Sequence, residues 1–338
     1  MNPERLRAAV RAVFCAAGMA QEHADTVADV LVWADLRGMG SHGVMRVPRY
    51  VELMRRGDMN AAPVMKAVVE TPACTLLDAD RAAGPVAMVH AMRLATAKAR
   101  AAGIGLVIVR ATTHTAAMGY YTQMGAREGF ASIAASASNP NMAYHGARAA
   151  GVSTAPLSIA VPGEGEPLAL DMGSGVVSLG KLMQARRSGE TLAEGLALDR
   201  DGNPTTDPRT ATTPLPLGGA KGSGLALMIE CLSSLLAGNP ILAESLEGTA
   251  KSRRHYQNAL AIAIDIERFV PLPVFRKEIE RLVGDLKALP PQAGMEILMP
   301  GERGRRNARA RKDGIALPAS VLEELKALAA SLGVQFTP

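Results

Sequence analysis

The twenty residues GPVAMVHAMRLATAKARAAG, followed directly by IGLVIVR, constrain the fold more than any other stretch. The first stretch carries apolar residues at helical spacing and stops at Gly103; the second (104–110) is an apolar, β-branched run with no polar face. A helix that hands over to a buried strand calls for a layered α/β core, because each element hides its apolar side only against the other. The neighbouring text repeats the alternation. AVVETPACTLLDAD reads as short strands, 118–129 as a helix and ASIAASAS (131–138) as a strand, and strand–helix–strand order is expected to run to about residue 180. ALAIAIDI (259–266) is a further buried strand. KGSGLALMIECLSSLLAG (221–238) is a helix with a stripe at Leu225, Met228, Ile229, Leu232 and Leu236, and VFRKEIERLVGDLKAL is an amphipathic helix.

The chain ends differ in character. Residues 3–18 read as a helix capped by Asn2, with Pro3 in its first turn and a stripe of Leu6, Val10, Val13 and Phe14. A second helix is expected from about Glu22 to Leu36, stopping at Gly38, and a third from about Val44 to Arg56, stopping at Gly57. ASVLEELKALAASLG, ended by Gly333, is a C-terminal helix expected to pack on the N-terminal ones. The fold class is thus mixed α/β: a helical domain from 1–70 with 312–338, and an α/β domain over 71–311.

Composition excludes several functions. Aromatics are 3%, so the core is built from Ala, Val, Leu, Ile and Met, and base-stacking platforms are not expected. The net charge is +5, but RGRRNARARK (303–312) holds six positive charges, and the rest of the chain is slightly acidic. No general nucleic-acid surface follows; a nucleic-acid binder using this basic run is the rival reading from another class. Cys15, Cys74 and Cys231 have neither disulfide-framework nor zinc spacing, so no metal is expected and a cytoplasmic setting fits. Neither a signal-peptide core nor an 18-residue apolar run occurs, so no membrane partner is expected.

No GxGxxG follows the first strand, and GGAKGSG (218–224) fails the P-loop pattern because Gly222 follows Lys221. HExxH and GxSxG are absent. What does occur is GMGSHGVMRVPRY (38–50), with Ser41 and His42 between glycines and Arg46 four residues after the histidine. If the third helix starts near Gly43, His42 and Arg46 share a face. An imidazole donates a proton near neutral pH and a guanidinium clamps a carboxylate. A capped turn with an exposed histidine is the alternative. His114, in RATTHTAAMGYY, follows a strand at a junction where helix N–H groups are free for ligands; a polar loop histidine is its alternative. His145, beside Gly146, is a weaker candidate, and His23, His90 and His255 read as structural. LALDMGSG ends a strand in Asp171 followed by small residues, and PLGGAKGSG leads into a helix N-terminus suited to an anion, with Lys221 adding charge. PGER ahead of the arginine run forms a turn, which favours a local anion site over a loop or a diffuse patch.

Together these motifs resemble the malate/L-lactate dehydrogenase family, which is separate from the Rossmann-type enzymes. LRGMGSHGVMRVPRYVELMRRG, THTAAMGYY, STAP, LALDMGSG, DGNPTTDP, PLGGAKGSGLAL and ILMPGERG follow in the expected order over nearly the whole chain. The resemblance implies a non-Rossmann nicotinamide-binding domain and hydride transfer at C2 of a 2-imino or 2-oxo acid. It implies that His42 is the proton donor or acceptor with Ser41 beside it, while His114 competes for that role. Arg46 would hold the carboxylate of a small-molecule substrate, and Thr154 would touch the substrate. His114, Thr115, Ala116, Ala117, Met118, Ser138, Asp171, Met172, Gly173, Ser174, Lys221, Gly301 and Glu302 fall on cofactor-binding segments. Arg303, Arg305 and Arg306 could surround a 2′-phosphate, so NADP(H) is expected ahead of NAD(H). The H-x-A-A form at His114 resembles the Δ1-piperideine-2-carboxylate/Δ1-pyrroline-2-carboxylate reductases, which points to C=N reduction; a malate, lactate or ureidoglycolate type of dehydrogenase is the alternative, and a non-catalytic nucleotide binder a further rival. A homodimer is implied.

Overall fold

The computed structural model describes residues 1–249 and 256–337. Its centre is a seven-stranded sheet: β1 (Lys66–Glu70), β2 (Cys74–Asp78), β3 (Ile104–Thr112), β4 (Phe130–Ala137), β5 (Leu157–Val161), β6 (Leu168–Met172) and β7 (Gln257–Asp265), in the order β1-β2-β3-β7-β4-β5-β6. Only β2 and β3 run parallel; every other neighbouring pair is antiparallel. The one parallel pair is the one bridged by a long helix, α4 (Gly84–Ala102), which Gly103 ends in the left-handed conformation.

The helices at the chain ends form as expected. Asn2 caps α1 (Pro3–Ala16), accepting the Glu4 and Arg5 amides. It packs on α2 (Gln21–Leu36), and α3 (Val47–Arg55) lies against α10 (Ala319–Ser331). The Met1 ammonium donates to the Ile315 carbonyl, tying the start of α1 to the segment ahead of α10. One cluster of buried side chains runs from Leu6 and Val10 through Val109 and Ala261 to Leu325, so helical unit and sheet share a core. The division expected at residue 70 falls just past β1, which already belongs to the sheet.

Three expectations change. Strand–helix alternation stops at β4: the short strands Met142–Ala143 and Ala150–Val152, then β5 and β6, follow before the next helix, α6 (Leu179–Ser188). Antiparallel neighbours need no helical crossover, and the sequence text did not separate the two cases. The third helix begins at Val47, because Gly43 is extended and breaks the helical path. The stripe of α7 (Ala220–Glu230) is largely turned outward: Ile229 is buried, while Met228, Leu232 and Leu236 are each more than half exposed. The chain widens into a π-helical turn at Cys231–Leu235, which shifts the later residues around the axis. Glu230, Ser233 and Ser234 face inward instead; the Glu230 carboxylate accepts the Ile241 and Leu242 amides and the Ser234 hydroxyl.

The helix predicted at 274–289 is α8 (Leu272–Lys287), and the basic run is mostly helical, as α9 (Glu302–Ala310). Among the described residues no helix is long and apolar enough to cross a membrane. Leu325 of α10 is fully buried in the shared core. Leu325→Ala is expected to cost about 2–5 kcal/mol in denaturant unfolding, the range for a core leucine whose cavity closes only in part.

Candidate active site

Two segments meet over the top of α4. The first is the link between α2 and α3. Gly38 turns the chain with φ +81, and two 3₁₀ turns follow, Gly40–His42 and Val44–Arg46. The buried Asp35 roots this link: its Oδ2 accepts the Val44 amide at 2.8 Å. His42 and Arg46 therefore come together by a route other than a shared helical face. Arg46 folds back so that its Nε donates to the Ser41 carbonyl at 2.6 Å, while Ser41 Oγ lies 3.0 Å from His42 Nδ1.

The second segment carries His114 between two alanines in the left-handed region, Ala111 (φ +53) and Ala116 (φ +52). That conformation costs a non-glycine residue roughly 1–2 kcal/mol, so the surroundings must hold it. They do so around Thr115. Its carbonyl accepts the Tyr121 hydroxyl at 2.6 Å, its amide donates to Gln257 Oε1 at 3.2 Å, and its hydroxyl meets Ser136 Oγ at 3.1 Å. Gly84 allows α4 to start directly beneath: a Cβ there would lie 2.3 Å from the His114 carbonyl oxygen.

The two histidine rings stack at 5.7 Å and 21°. The buried Tyr50 hydroxyl touches both His114 Nδ1 (2.7 Å) and the His114 carbonyl (3.1 Å). A phenol has one proton to give. Given to the carbonyl, it makes Nδ1 the protonated nitrogen and leaves Nε2 as the proton acceptor. Burial, then the Arg46 guanidinium, lowers the His42 pKa to about 4. Burial, then Arg46 and His42, holds His114 well below the usual histidine range. Burial raises Asp35 to about 7 against the opposing Val44 amide and Arg311.

A cavity of ≈260 Å³ opens beside this pair, lined by Arg46, Arg49, Tyr50, His114, Ser138, Asn141 and Gln257 among others. His42 stands behind it rather than in its wall. Asn141 Oδ1 accepts the Thr154 amide at 2.8 Å, and the Thr154 carbonyl accepts the Ser174 amide at 2.9 Å, so Thr154 and Ser174 form the next layer outward. The other candidates lie farther along β6. Asp171 sits at the base of α5 (Met118–Arg127), one side open to solvent and the other crowded by protein; burial raises it to about 6, while its Oδ2 accepts the Gly119 amide. Gly301 packs on Ala169, and Arg305 donates to the Pro167 carbonyl. Arg306 is held bidentately by Glu296 and also meets Glu302, which in turn pairs with Lys287. Arg303 is exposed. His145 lies apart from the histidine pair, against Gly219, and His255 lies outside the described residues.

The surroundings of β6 fit an anionic dinucleotide. Neither α7 nor α9 has a side-chain cap at its N-terminus, Lys221 stands in the first turn of α7, and the fully buried Ser174 hydroxyl lacks a protein partner. Among the described residues no group of three or more His, Cys, Asp or Glu side chains could hold a metal ion.

Sequence reasoning missed Tyr50, Asp35, Arg49, Asn141 and Gln257. Tyr50 had a signal, since it follows Arg46 at helical spacing. Gln257 and Asn141 had none, because only the sheet order brings them to the cavity.

Both histidines are neutral in the folded chain near pH 7, whereas in the unfolded chain they titrate near 6.5. With folded values depressed, the unfolded chain binds protons first, so the contribution of His42 to stability falls as pH drops from about 6.5 through about 4, and that of His114 falls in the same direction below about 6.5. The double variant His42→Gln/His114→Gln is expected to flatten the decline of Tm across that window. An unchanged slope would show that the pair is not held neutral.

The malate/L-lactate dehydrogenase family profile matches residues 1–326. L-sulfolactate dehydrogenase of Methanocaldococcus jannaschii is 36% identical over 337 residues, covering 99% of this chain and 97% of that protein. The solved structure of the M. jannaschii sulfolactate dehydrogenase superposes with a TM-score of 0.91, over 99% of this chain and 98% of that one. Ureidoglycolate dehydrogenase (NAD+) of Escherichia coli K12 is 34% identical, covering 96% of this chain and 94% of that protein. The structure of Δ1-piperideine-2-carboxylate reductase from Pseudomonas syringae gives a TM-score of 0.86 at 28% identity, over 97% of this chain and 99% of that one. With the histidine pair, the arginine and the dinucleotide-suited surface in place, the chain belongs to the malate/L-lactate dehydrogenase family and is an NAD(P)-dependent oxidoreductase.

Proposed function

We propose that this chain interconverts a small 2-oxo acid and its 2-hydroxy acid, and that the acid bears a second anionic group. The observation that carries this reading is that Arg46 and Arg49 line the same cavity as His114. One guanidinium suffices for the C1 carboxylate; that of Arg49, which also pairs with Glu52, suits a distal carboxylate or sulfonate. Sulfolactate, named for the M. jannaschii relative, has both groups.

Arg46, oriented by the Ser41 carbonyl, binds the C1 carboxylate. His114, in the cavity wall, takes the proton of the substrate hydroxyl at Nε2 in the oxidation and, after gaining a proton there from solvent, returns it to the oxygen in the reduction, an effect of about 10²–10⁴-fold. Tyr50 fixes its tautomer. His42 and Ser41 back it, and the stacked His42 ring restricts how the His114 ring can turn. The nicotinamide supplies or takes the hydride when bound; Ser138, Asp171, Met172, Gly173, Ser174 and Lys221 would hold the dinucleotide. With Arg306 engaged by two carboxylates and Arg305 on the Pro167 carbonyl, preference for NADP rests chiefly on the exposed Arg303.

Reduction of a cyclic 2-imino acid is the second reading. It is supported by the small buried residues Ala116 and Ala117 after His114 and by the likeness to the piperideine carboxylate reductase. The amides of Asn141 and Gln257 in the cavity wall suit a polar substrate better than a methylene ring.

A substrate panel read by reduced-nicotinamide absorbance separates the two. Oxaloacetate and sulfopyruvate are expected to exceed both pyruvate and Δ1-piperideine-2-carboxylate by at least tenfold in kcat/KM (about 1.4 kcal/mol). Arg49→Ala should erase that lead over pyruvate, and His114→Ala should lower kcat more than His42→Ala does. If the imino acid is fastest, the second reading replaces the first.

A second copy of the chain is the proposed partner for the exposed stripe of Met228, Leu232, Leu235 and Leu236. Light scattering should give a dimer mass, and Leu232→Glu/Leu236→Glu a monomer; a monomeric wild-type chain would remove this part. Cys15, Cys74 and Cys231 are all unpaired, in keeping with a cytoplasmic setting.

A further inference from the structure

We infer that Asp35 is a positioning residue for the reaction: lodged against Gly43 and accepting the Val44 amide, its carboxylate fixes the turn that carries His42 and Arg46. This rests on the reading of the cavity as the active site. The other bonds of the turn are local: each 3₁₀ piece closes on its own backbone, and Arg46 Nε donates to the Ser41 carbonyl. Its two 3₁₀ pieces have three residues each, and neither has a side-chain cap. Gly43 between them is extended.

Asp35 supplies what the backbone lacks. Its side chain is anchored in the last turn of α2, is only 5% exposed and spans nine residues to the Val44 amide. It fills the space where residue 43 would otherwise carry a side chain. A Cβ on Gly43 would lie 2.1 Å from Oδ1, 2.3 Å from Cγ and 2.4 Å from Oδ2, and one on Gly40 would lie 3.7 Å from Oδ1. Carboxylate and glycine are thus a matched pair: the acid occupies the volume the glycine leaves open.

The far end of α2 is itself tied down. Arg311 Nη1 donates to the Asp35 carbonyl at 2.6 Å, and Asn307 Nδ2 donates to the Arg37 carbonyl at 3.1 Å. Both donors belong to the basic run and meet the carbonyl end of α2; Arg311 also brings a positive charge, which is favourable there. The carboxylate therefore projects from a fixed base, and a fixed base is what lets one hydrogen bond set the position of two functional side chains.

The test compares Asp35→Ala, Asp35→Asn, Gly43→Ala and the double variant Asp35→Ala/Gly43→Ala in the full chain. Two readouts run in parallel: steady-state kinetics with oxaloacetate, and hydrogen exchange of the peptide spanning 40–47. Emission of Trp33, the single tryptophan, which packs against Arg37 and Tyr120, reports that α2 is intact. Asp35→Ala is expected to speed exchange at 43–46 at least tenfold. It should also lower kcat and raise KM for the acid, because His42 and Arg46 move together. Asp35→Asn keeps an acceptor and should stay within a few-fold of wild type in both readouts. Gly43→Ala should match Asp35→Ala, and the double variant should be little worse than either single one.

Wild-type exchange and kinetics in Asp35→Ala would overturn the inference. So would an Asp35→Asn variant as impaired as Asp35→Ala, or losses that multiply in the double variant. If the wild-type chain turns over no acid, the functional reading fails, and unchanged exchange at 43–46 in Asp35→Ala would then sink the role of Asp35 separately.

Discussion

The hydroxyl of Tyr50 joins the helical end-unit of this chain to its sheet at the point where chemistry is expected. From α3 it reaches both the ring and the carbonyl of His114, a residue placed by β3. Two contacts from one buried phenol restrict rotation of the ring and position of the backbone together, and in a low-dielectric interior such bonds are stronger than in water. The left-handed alanines on either side show that the loop is held against its own preference. Without the phenol, the His114 ring would lose its tie to α3 and keep only its stacking on His42, itself held by Ser41.

Electrostatics around the pair work by exclusion more than by pairing. Arg46 brings positive charge close to both rings, and burial strips them of water, so each stays neutral. A neutral imidazole beside a guanidinium is compatible with an arriving carboxylate, whose charge would offset that of Arg46. Elsewhere the chain's surplus of arginine is largely spoken for. Arg306 is shared by two glutamates, Arg305 reaches a carbonyl, and Arg311 ties a helix end. A run that looks like an anion-binding patch in the sequence is, in good part, fastening.

Much of the fold was legible because it is written locally. Helix stops at Gly38, Gly57 and Gly103, the Asn2 cap and the β-branched run at 104–110 each declare themselves within a few residues. The candidate site was legible only in part. Ser41, His42, Arg46 and His114 stand out by type and by the motifs around them, so both segments that meet at the site could be read locally. Asn141 and Gln257 could not be, since they enter the cavity through strand order, which depends on antiparallel pairings far apart in sequence. The inward Ser233 and Ser234 after α7 were hidden for another reason: a π-helical turn changes the period on which stripe reading depends.

The ties that root the catalytic turn also have a history in time. Asp35 and Arg37 are made early in synthesis, whereas Asn307 and Arg311, which hold their carbonyls, come 270 and 276 residues later. The Met1 ammonium waits longer still, for Ile315. During synthesis α1 and α2 can pair locally, but the end of α2 stays unfastened until the segment around 307–311 has been made. The turn that α2 roots is thus completed by contacts far away in sequence, which are slower to form than local ones.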